Sequence, residues 1–191
     1  MNFVIRDLHG PDISAGLLDT LSNLAEARLT PEEAGELHRR RLRTGVRCYV
    51  AWSTVSKAVI GTASLLVEQK FIHQGGMVGH IEDVSVRLGY EKRGIGTALV
   101  RHATEQARKI GCYKVILNCA EHLIPFYESL GFRWHAVQLR TNLCGSSIAE
   151  RSLDRISNVE CQSQYPRTEV SDSNSVPAAA PKDVLPLANI G

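Results

Sequence analysis

Residues 80–96 constrain the fold of this chain more than any other stretch. They read as a β-strand that ends in a basic turn with two glycines, and a helix is predicted to begin near Thr97. Glycines let a turn expose its backbone N–H groups, and a helix start leaves four such groups unpaired and adds partial positive charge. The stretch therefore predicts a cradle for a phosphate-bearing ligand.

The glycine spacing argues against two common phosphate motifs. A dinucleotide-binding fingerprint requires a third glycine where Leu99 stands, and a P-loop requires Gly-Lys-Ser/Thr where residues 96–98 read Gly-Thr-Ala. A different phosphate-bearing cofactor is implied. Taken alone, the pair Gly94 and Gly96 also fits an ordinary turn or helix cap.

The elements around this stretch predict an α/β (α+β) fold. Helices are predicted from the spacing of Ile13, Leu17 and Leu21, and from Thr30-Pro31, where Glu33 can close a capping box. Two further helices are predicted over residues 97–110 and 124–130. Strands are predicted over residues 3–6, 47–52, 58–68, 112–119 and 132–140, and from about residue 78.

Three local patterns within these elements carry further expectations. Strict alternation from Val78 places Glu82 on the same face as Val84 and Val86, where an acid needs a partner or a cleft. The apolar run 112–119 predicts a strand buried on both faces. The basic run 38–43 predicts a solvated helix face.

Composition bounds the domain organisation. A chain of 191 residues with 43% hydrophobic residues can bury one core, so a single domain over residues 1–145 is expected. Four of the seven prolines follow, with serines and alanines, so residues 146–191 are predicted to be a tail, disordered from about residue 160. A short helix within 146–156 stays open.

Charge and cysteine usage exclude several classes of partner. The net charge is +2 with acids and bases interleaved, which argues against a nucleic-acid or membrane surface. Five widely spaced cysteines match neither a disulfide framework nor a zinc pattern, so reduced thiols and no metal are expected. No apolar run can span a bilayer and no signal-peptide layout is seen, so the protein is predicted to be cytoplasmic.

The order of elements, together with Arg-Gly-Ile-Gly at 93–96, resembles the GCN5-related N-acetyltransferases, whose glycine turn binds the pyrophosphate of acetyl-CoA. The resemblance implies their GNAT fold, a mixed, mostly antiparallel sheet with a central splayed parallel pair and flanking helices. The runs at 79–84, 111–117 and 126–132, and Lys70-x-x-His73, look like the eukaryotic-type glucosamine-6-phosphate N-acetyltransferases. The resemblance covers roughly residues 3–142.

The resemblance implies a role for each motif residue. Tyr127 would protonate the leaving thiolate, and Glu82 and Asp83 would position the sugar and its amine, with Asn118 completing the catalytic set. The residues implied to bind acetyl-CoA are Val84, Ser85, Val86, Lys92, Arg93, Gly94, Ile95, Gly96, Thr97, Asn118 and Tyr127. Those implied to bind the hexose phosphate are Lys70, His73, Glu82, Asp83, Tyr113, Lys114 and Arg140.

The implied reaction is direct acetyl transfer, in a ternary complex, to the amine of glucosamine 6-phosphate for UDP-N-acetylglucosamine synthesis. Relatives also imply a homodimer. Such a reaction needs a neutral amine, a donor for the carbonyl oxygen and an acid for the thiolate. Asn118 stands where close relatives have an acid and cannot accept a proton, so that role falls to water, Glu82 or His80.

Two alternatives to this reaction stay open. Asn118 is compatible with a different small amine as acceptor. Asn118 together with Glu91, an acid beside the pyrophosphate turn, is compatible with an acetyl-CoA-binding domain that has lost turnover.

Overall fold

Five β-strands form one mixed sheet in the computed structural model, which describes residues 2–141. The strands are β1 (Phe3–Asp7), β2 (Arg47–Ser53), β3 (Ala58–Gln69), β4 (Met77–Val86) and β5 (Cys112–Ile116). They lie in the sheet in chain order; β1 to β4 pair antiparallel, and β4 pairs parallel with β5. The predicted mixed sheet with one parallel pair is confirmed.

Helices flank the sheet and begin and end at residues that explain their bounds. The broken helix α1 consists of Gly10–Asp12, Ile13–Leu17 and Leu18–Leu21; α2 spans Pro31–Arg43, α3 spans Ile95–Ile110 and α4 spans Ile124–Glu128. Thr30 and Glu33 form the predicted capping box at the start of α2. Left-handed glycines, Gly94 and Gly111, bound α3.

Each face of the sheet buries its own set of side chains. Tyr49 and Ile60 pack in one cluster with Leu99 of α3, whereas their neighbours Val50 and Val59 pack in a second cluster with residues of α1 and α2. Adjacent strand residues point to opposite faces, so the two clusters lie on opposite sides. Full burial of one such aliphatic side chain is worth about 1.5–3 kcal/mol.

A β-bulge at Asp83 breaks the alternation of β4. The φ angle of Asp83 is +53°, and the pairing with β3 shifts there. Thr62 pairs with Ser85 whereas Ser64 pairs with Glu82, so β4 has one residue more than β3 across this step.

The bulge overturns the predicted position of Glu82. Ile81 belongs to the core cluster under α3, and both Val84 and Val86 pack against that same cluster, although strict alternation would separate Ile81 from them. Glu82 is exposed. The prediction that Glu82 shares a face with Val84 and Val86 is wrong, because one extra residue exchanges the two faces of a strand.

The described part of the sheet ends at β5. Its pairing with β4 stops at His80 and Ile116, and β4 continues to Val86 without a β5 partner. Tyr113 and Ile116 are 45% and 39% exposed, so the predicted burial on both faces is wrong. The cause is that residues 132–140, predicted as the last strand, form no strand and leave the outer edge of β5 open.

The chain divides by its contacts into a unit that ends at Gln138 and a unit that begins at Leu139. The predicted tail over 146–191 and the helix within 146–156 lie outside the described residues, and the boundary at residue 145 stays a prediction. Over residues 2–141, no helix is both long and apolar enough to cross a membrane.

Candidate active site

The turn that is predicted to hold a phosphate lies where α3 begins. Gly94 is the N-cap residue, its φ angle of +77° would strain a side chain, and no side chain caps the helix. The N–H of Ala98 donates to the Gly94 carbonyl at 3.0 Å, so the N–H groups of residues 94–97 precede that first hydrogen bond of the helix. Backbone donors at the positive end of a helix dipole fit a diphosphate.

Two charged side chains of the turn, Arg93 and Glu91, contact other residues of the same turn. Arg93 Nη2 donates to the Gly89 carbonyl at 2.9 Å, and its guanidinium lies 5.5 Å from the ring centroid of Tyr90. Glu91 accepts a hydrogen bond from the Gly89 N–H at 2.7 Å. The acid is therefore engaged at the start of the turn, and Lys92, exposed with φ +57°, adds a second cation beside Arg93.

The end of β4 presents backbone rather than side chains. Ser85 is buried and its hydroxyl donates to the Thr20 carbonyl at 2.6 Å, while Val84 packs into the core. The carbonyl of Val86 accepts a hydrogen bond from Asn23 Nδ2 at 2.7 Å. The predicted cofactor contacts of Val84, Ser85 and Val86 therefore depend on their backbone atoms.

Tyr127 is a buried phenol beside a cavity of about 1080 Å³. Its ring centroid lies 4.9 Å from that of Phe126 and 6.0 Å from that of Phe132, and the residue is 8% exposed. Within residues 2–141, no hydrogen bond is made by its hydroxyl. Burial, with a smaller effect of Cys119, raises the pKa of Tyr127, so the group is a protonated donor at neutral pH.

The same cavity brings further predicted residues together. Asn118, which follows β5, lines it together with Tyr113 and Lys114 of β5. Residues 132–138 also line this cavity. A proton donor, an amide and a cation therefore border one space.

The adjacent acids Glu82 and Asp83 have different surroundings. Asp83 Oδ2 accepts hydrogen bonds from Arg41 Nη2 and from the Ser64 hydroxyl, both at 3.2 Å. Glu82 is exposed and makes no hydrogen bond or ion pair with the other described residues. The negative charge of Asp83 is therefore compensated by Arg41, whereas that of Glu82 is compensated by no cation among the described residues.

Lys70 and His80 share one carboxylate. Lys70 Nζ lies 2.6 Å from Glu68 Oε1, and His80 Nε2 lies 3.0 Å from Glu68 Oε2. The hydrogen bond from Lys70, followed by that from His80, lowers the pKa of Glu68. The predicted phosphate ligand Lys70 is therefore paired with an acid when no substrate is present.

His73, Tyr113 and Lys114 lie side by side. The ring centroids of His73 and Tyr113 are 4.8 Å apart, and Lys114 Nζ lies 5.5 Å from the Tyr113 centroid. Arg140 is exposed in the second unit, and its predicted role in this site stays a prediction. The described residues contain no cluster of three or more His, Cys, Asp or Glu that could hold a metal ion.

Three residues with contacts to this region were not singled out in the sequence: Asn23, Arg41 and Glu68. A signal existed for Arg41, because Ala34, His38 and Arg41 follow at helical spacing on the less exposed side of α2. Within the basic run 38–43, Arg41 therefore contacts the sheet, through Ser64 of β3. Asn23 and Glu68 carry no such signal.

Comparison with known proteins assigns the family. Residues 17–132 match the model of the acetyltransferase (GNAT) family. A protein from Trypanosoma brucei brucei, named glucosamine 6-phosphate N-acetyltransferase, is 41% identical over 140 residues, which cover 73% of this chain and 95% of that protein. A protein from rice, Oryza sativa subsp. japonica, named glucosamine 6-phosphate N-acetyltransferase 1, is 38% identical and covers 71% and 84%.

A solved structure agrees with this assignment. The crystal structure of glucosamine-6-phosphate N-acetyltransferase from Arabidopsis thaliana matches with a TM-score of 0.71 at 28% identity, over 75% of this chain and 99% of that one. The chain therefore belongs to the GNAT family of acetyltransferases.

Proposed function

We propose that this acetyltransferase transfers the acetyl group of acetyl-CoA to the amine of D-glucosamine 6-phosphate, giving N-acetyl-D-glucosamine 6-phosphate in a ternary complex. The observation that carries the proposal is the similarity to the trypanosomal and rice proteins of that name over most of their lengths. The cavity beside Tyr127 and the donor-rich start of α3 support it, because the reaction needs an acid and an anion site.

Acetyl-CoA supplies the acetyl group as a thioester. Its pyrophosphate would lie on residues 92–97, where backbone N–H groups and the side chains of Lys92 and Arg93 provide donors. The backbone of residues 84–86 would bind the pantetheine arm, and Val84 would offer its N–H to the thioester oxygen. The open donors at the helix start are the structural support for this assignment.

Tyr127 would donate its phenolic proton to the departing sulfur. Its hydroxyl borders the cavity without a hydrogen-bond partner among residues 2–141, and its raised pKa keeps it protonated. The substrate amine enters as an ammonium, loses one proton before attack and a second as the C–N bond replaces the C–S bond. Asn118 can hydrogen-bond this amine but cannot take a proton, so water, Glu82 and His80 are the proposed acceptors.

The sugar phosphate would be bound by a cationic set. The proposed ligands are Lys70, His73, Tyr113, Lys114 and Arg140. His73 and Lys114 each contact the ring of Tyr113. Charge-assisted hydrogen bonds from such groups are the strongest that a phosphate can accept.

Two assembly-level proposals accompany the reaction. We propose a homodimer, because none of residues 2–141 pairs with the outer edge of β5, and Trp134 and Val137 are 69% and 80% exposed. We propose the cytoplasm as its location, because Cys48, Cys112 and Cys119 are free thiols, which suit a reducing compartment.

A second candidate substrate follows from one observation. Asn118 lines the cavity where close relatives are expected to have an acid, so a different small amine could be the acceptor. Such an enzyme would not require the phosphate group on its substrate.

The experiment measures thiol release from acetyl-CoA by the purified full-length chain with glucosamine 6-phosphate, glucosamine or no amine. We expect turnover with the phosphosugar and at most a few per cent of that rate with glucosamine. Equal rates with both sugars would favour the second candidate. Acetyl-CoA binding without turnover on either sugar would contradict the proposed substrate.

A further inference from the structure

The bulge residue Asp83 is held by a network that crosses three elements. Arg41 Nη2, from the last turns of α2, donates to the Ser64 hydroxyl of β3 at 2.6 Å and to Asp83 Oδ2 at 3.2 Å. The Ser64 hydroxyl also lies 3.2 Å from the same Asp83 oxygen. The side chains of Arg41 and Asp83 are 31% and 41% exposed, so water screens this pair less than a fully exposed one.

Few other charges act on this network. On β2, burial raises the pKa of the Cys48 thiol, so Cys48 is neutral at pH 7. On α2, burial lowers the pKa of His38, which faces Arg41, so His38 adds little positive charge there. On β4 itself the neighbouring charge is Glu82, which has no ion-pair partner among the described residues.

We propose that Arg41 is a positioning residue of the amine site: it holds the Asp83 carboxylate on Ser64 and cancels its charge, so that Glu82 is the uncompensated carboxylate of the two. The inference rests on the proposed function, which places the substrate amine beside these acids. It assigns to α2, outside the cavity, a part in amine acetylation.

The chemical reason is the protonation state of the amine. Attack on a thioester requires the neutral amine, and each uncompensated carboxylate nearby favours the ammonium and raises the pKa of the bound amine. With Arg41 in place, one net negative charge lies beside the amine. Without Arg41 there are two, and the amine keeps its proton to higher pH.

The test measures kcat against pH for the wild type and matched variants, with the phosphosugar saturating. Because kcat reports groups in the bound complex, its acid limb follows the bound amine. In Arg41→Met, the pH at the midpoint of the acid limb should rise by about 0.5 to 1 pH unit. Arg40→Met removes the same charge from the next, exposed position of α2 and should leave the limb unchanged.

A double variant separates charge from fold. Arg41→Met combined with Asp83→Asn removes both charges and should return the limb to its wild-type position, although kcat itself falls. If Arg41→Met does not fold, Asp83→Asn alone serves, because the charge of Arg41 then loses its carboxylate partner and should move the acid limb to lower pH. Arg41→Lys, which keeps the charge, should keep the wild-type limb.

The outcomes distinguish a failure of the Arg41 inference from a failure of the proposed function. The inference would be overturned if the acid limbs of Arg41→Met and Arg40→Met had the same midpoint pH. It would also be overturned if the midpoint of the double variant stayed above that of the wild type. Wild-type turnover decides the proposed function separately: if another amine is the better substrate, the same limbs are measured with that amine. If the wild type acetylates no amine, there is no amine site and both proposals fail.

Discussion

Tyr127, the proposed proton donor to the thiolate, is packed between aromatic rings. Its ring contacts two phenylalanines and its hydroxyl borders the cavity, so the phenol is fixed in position but short of solvent. Burial raises the pKa of Tyr127, and a raised value means that the proton is kept as pH rises past the usual value near 10. The stability that this group contributes is present below its unfolded pKa and is lost as pH rises through the folded one.

Tyr127→Phe should lower kcat by about 10²-fold, the low end of general acid catalysis, because a thiolate is a fair leaving group even unprotonated. The dissociation constant for acetyl-CoA should change by less than about threefold. Both follow from steady-state kinetics and equilibrium binding. Tyr49→Phe is the matched control, because the Tyr49 hydroxyl is buried and unpaired within residues 2–141 but does not line the cavity; unchanged kcat in Tyr127→Phe would remove the acid role.

The close packing of α3 on the sheet fixes the position of the glycine turn that is proposed to bind the pyrophosphate. Gly61 of β3 lies directly under it: an added Cβ would be 2.6 Å from Ile95 Cγ2 and 2.9 Å from Leu99 Cδ1. Ile95 is the first residue of α3, so this contact sets the height of the helix start above β3. Close packing of this kind positions the start of α3 without any side-chain cap.

Gly61→Ala should therefore lower the free energy of unfolding by about 1–3 kcal/mol through overpacking, and weaken acetyl-CoA binding, because the start of α3 must move. Urea denaturation and binding titration measure the two effects. Gly10→Ala is the control, since a Cβ there meets nothing within 4 Å, and its change should stay within about 0.5 kcal/mol. A Gly61→Ala protein as stable as this control would contradict the packing argument.

The elements also explain which predictions from sequence succeeded. The start of α2 and both ends of α3 depend on local chemistry, the capping box at Thr30 and the left-handed glycines. The capping box at the start of α2 was predicted, and both ends of α3 were predicted to within two residues. The bulge at Asp83 depends on how β4 registers against β3, which no local pattern encodes, so the face of Glu82 was predicted wrongly. The helical spacing of Ala34, His38 and Arg41 indicates that Arg41 lies on the less exposed side of α2. It does not identify the partners of Arg41, Ser64 and Asp83, because they are distant in the chain.

β5 is an edge strand of the sheet, and its outer edge pairs with none of the described residues. Unpaired strand edges invite a further strand, and here residues 132–138, which belong to the same unit, do not supply one. The sequence predicted a strand over 132–140 from composition alone, since whether an extended segment pairs depends on a partner. A second copy of the chain is the partner proposed above.

Sedimentation at micromolar concentration should accordingly give a species of about twice 21.0 kDa. Trp134→Glu, on the exposed segment after α4, should shift the distribution toward the monomer, because a buried charge without a partner is costly. Leu88→Glu, an equally exposed apolar position on the glycine turn, is the control and should leave the mass unchanged. A wild type that sediments only at 21.0 kDa would contradict the dimer.

The strand order has a consequence for the order of synthesis. Because β1 to β5 lie in the sheet in the order in which they leave the ribosome, each antiparallel neighbour can pair as soon as it emerges. The parallel closure of β5 onto β4 must wait until all of α3 has been made. The glycine turn and Tyr127 follow β4 in the chain. A nascent chain can therefore pair its antiparallel strands, including the part of β4 that carries Glu82, before the residues proposed to bind the pyrophosphate and to protonate the thiolate have been made.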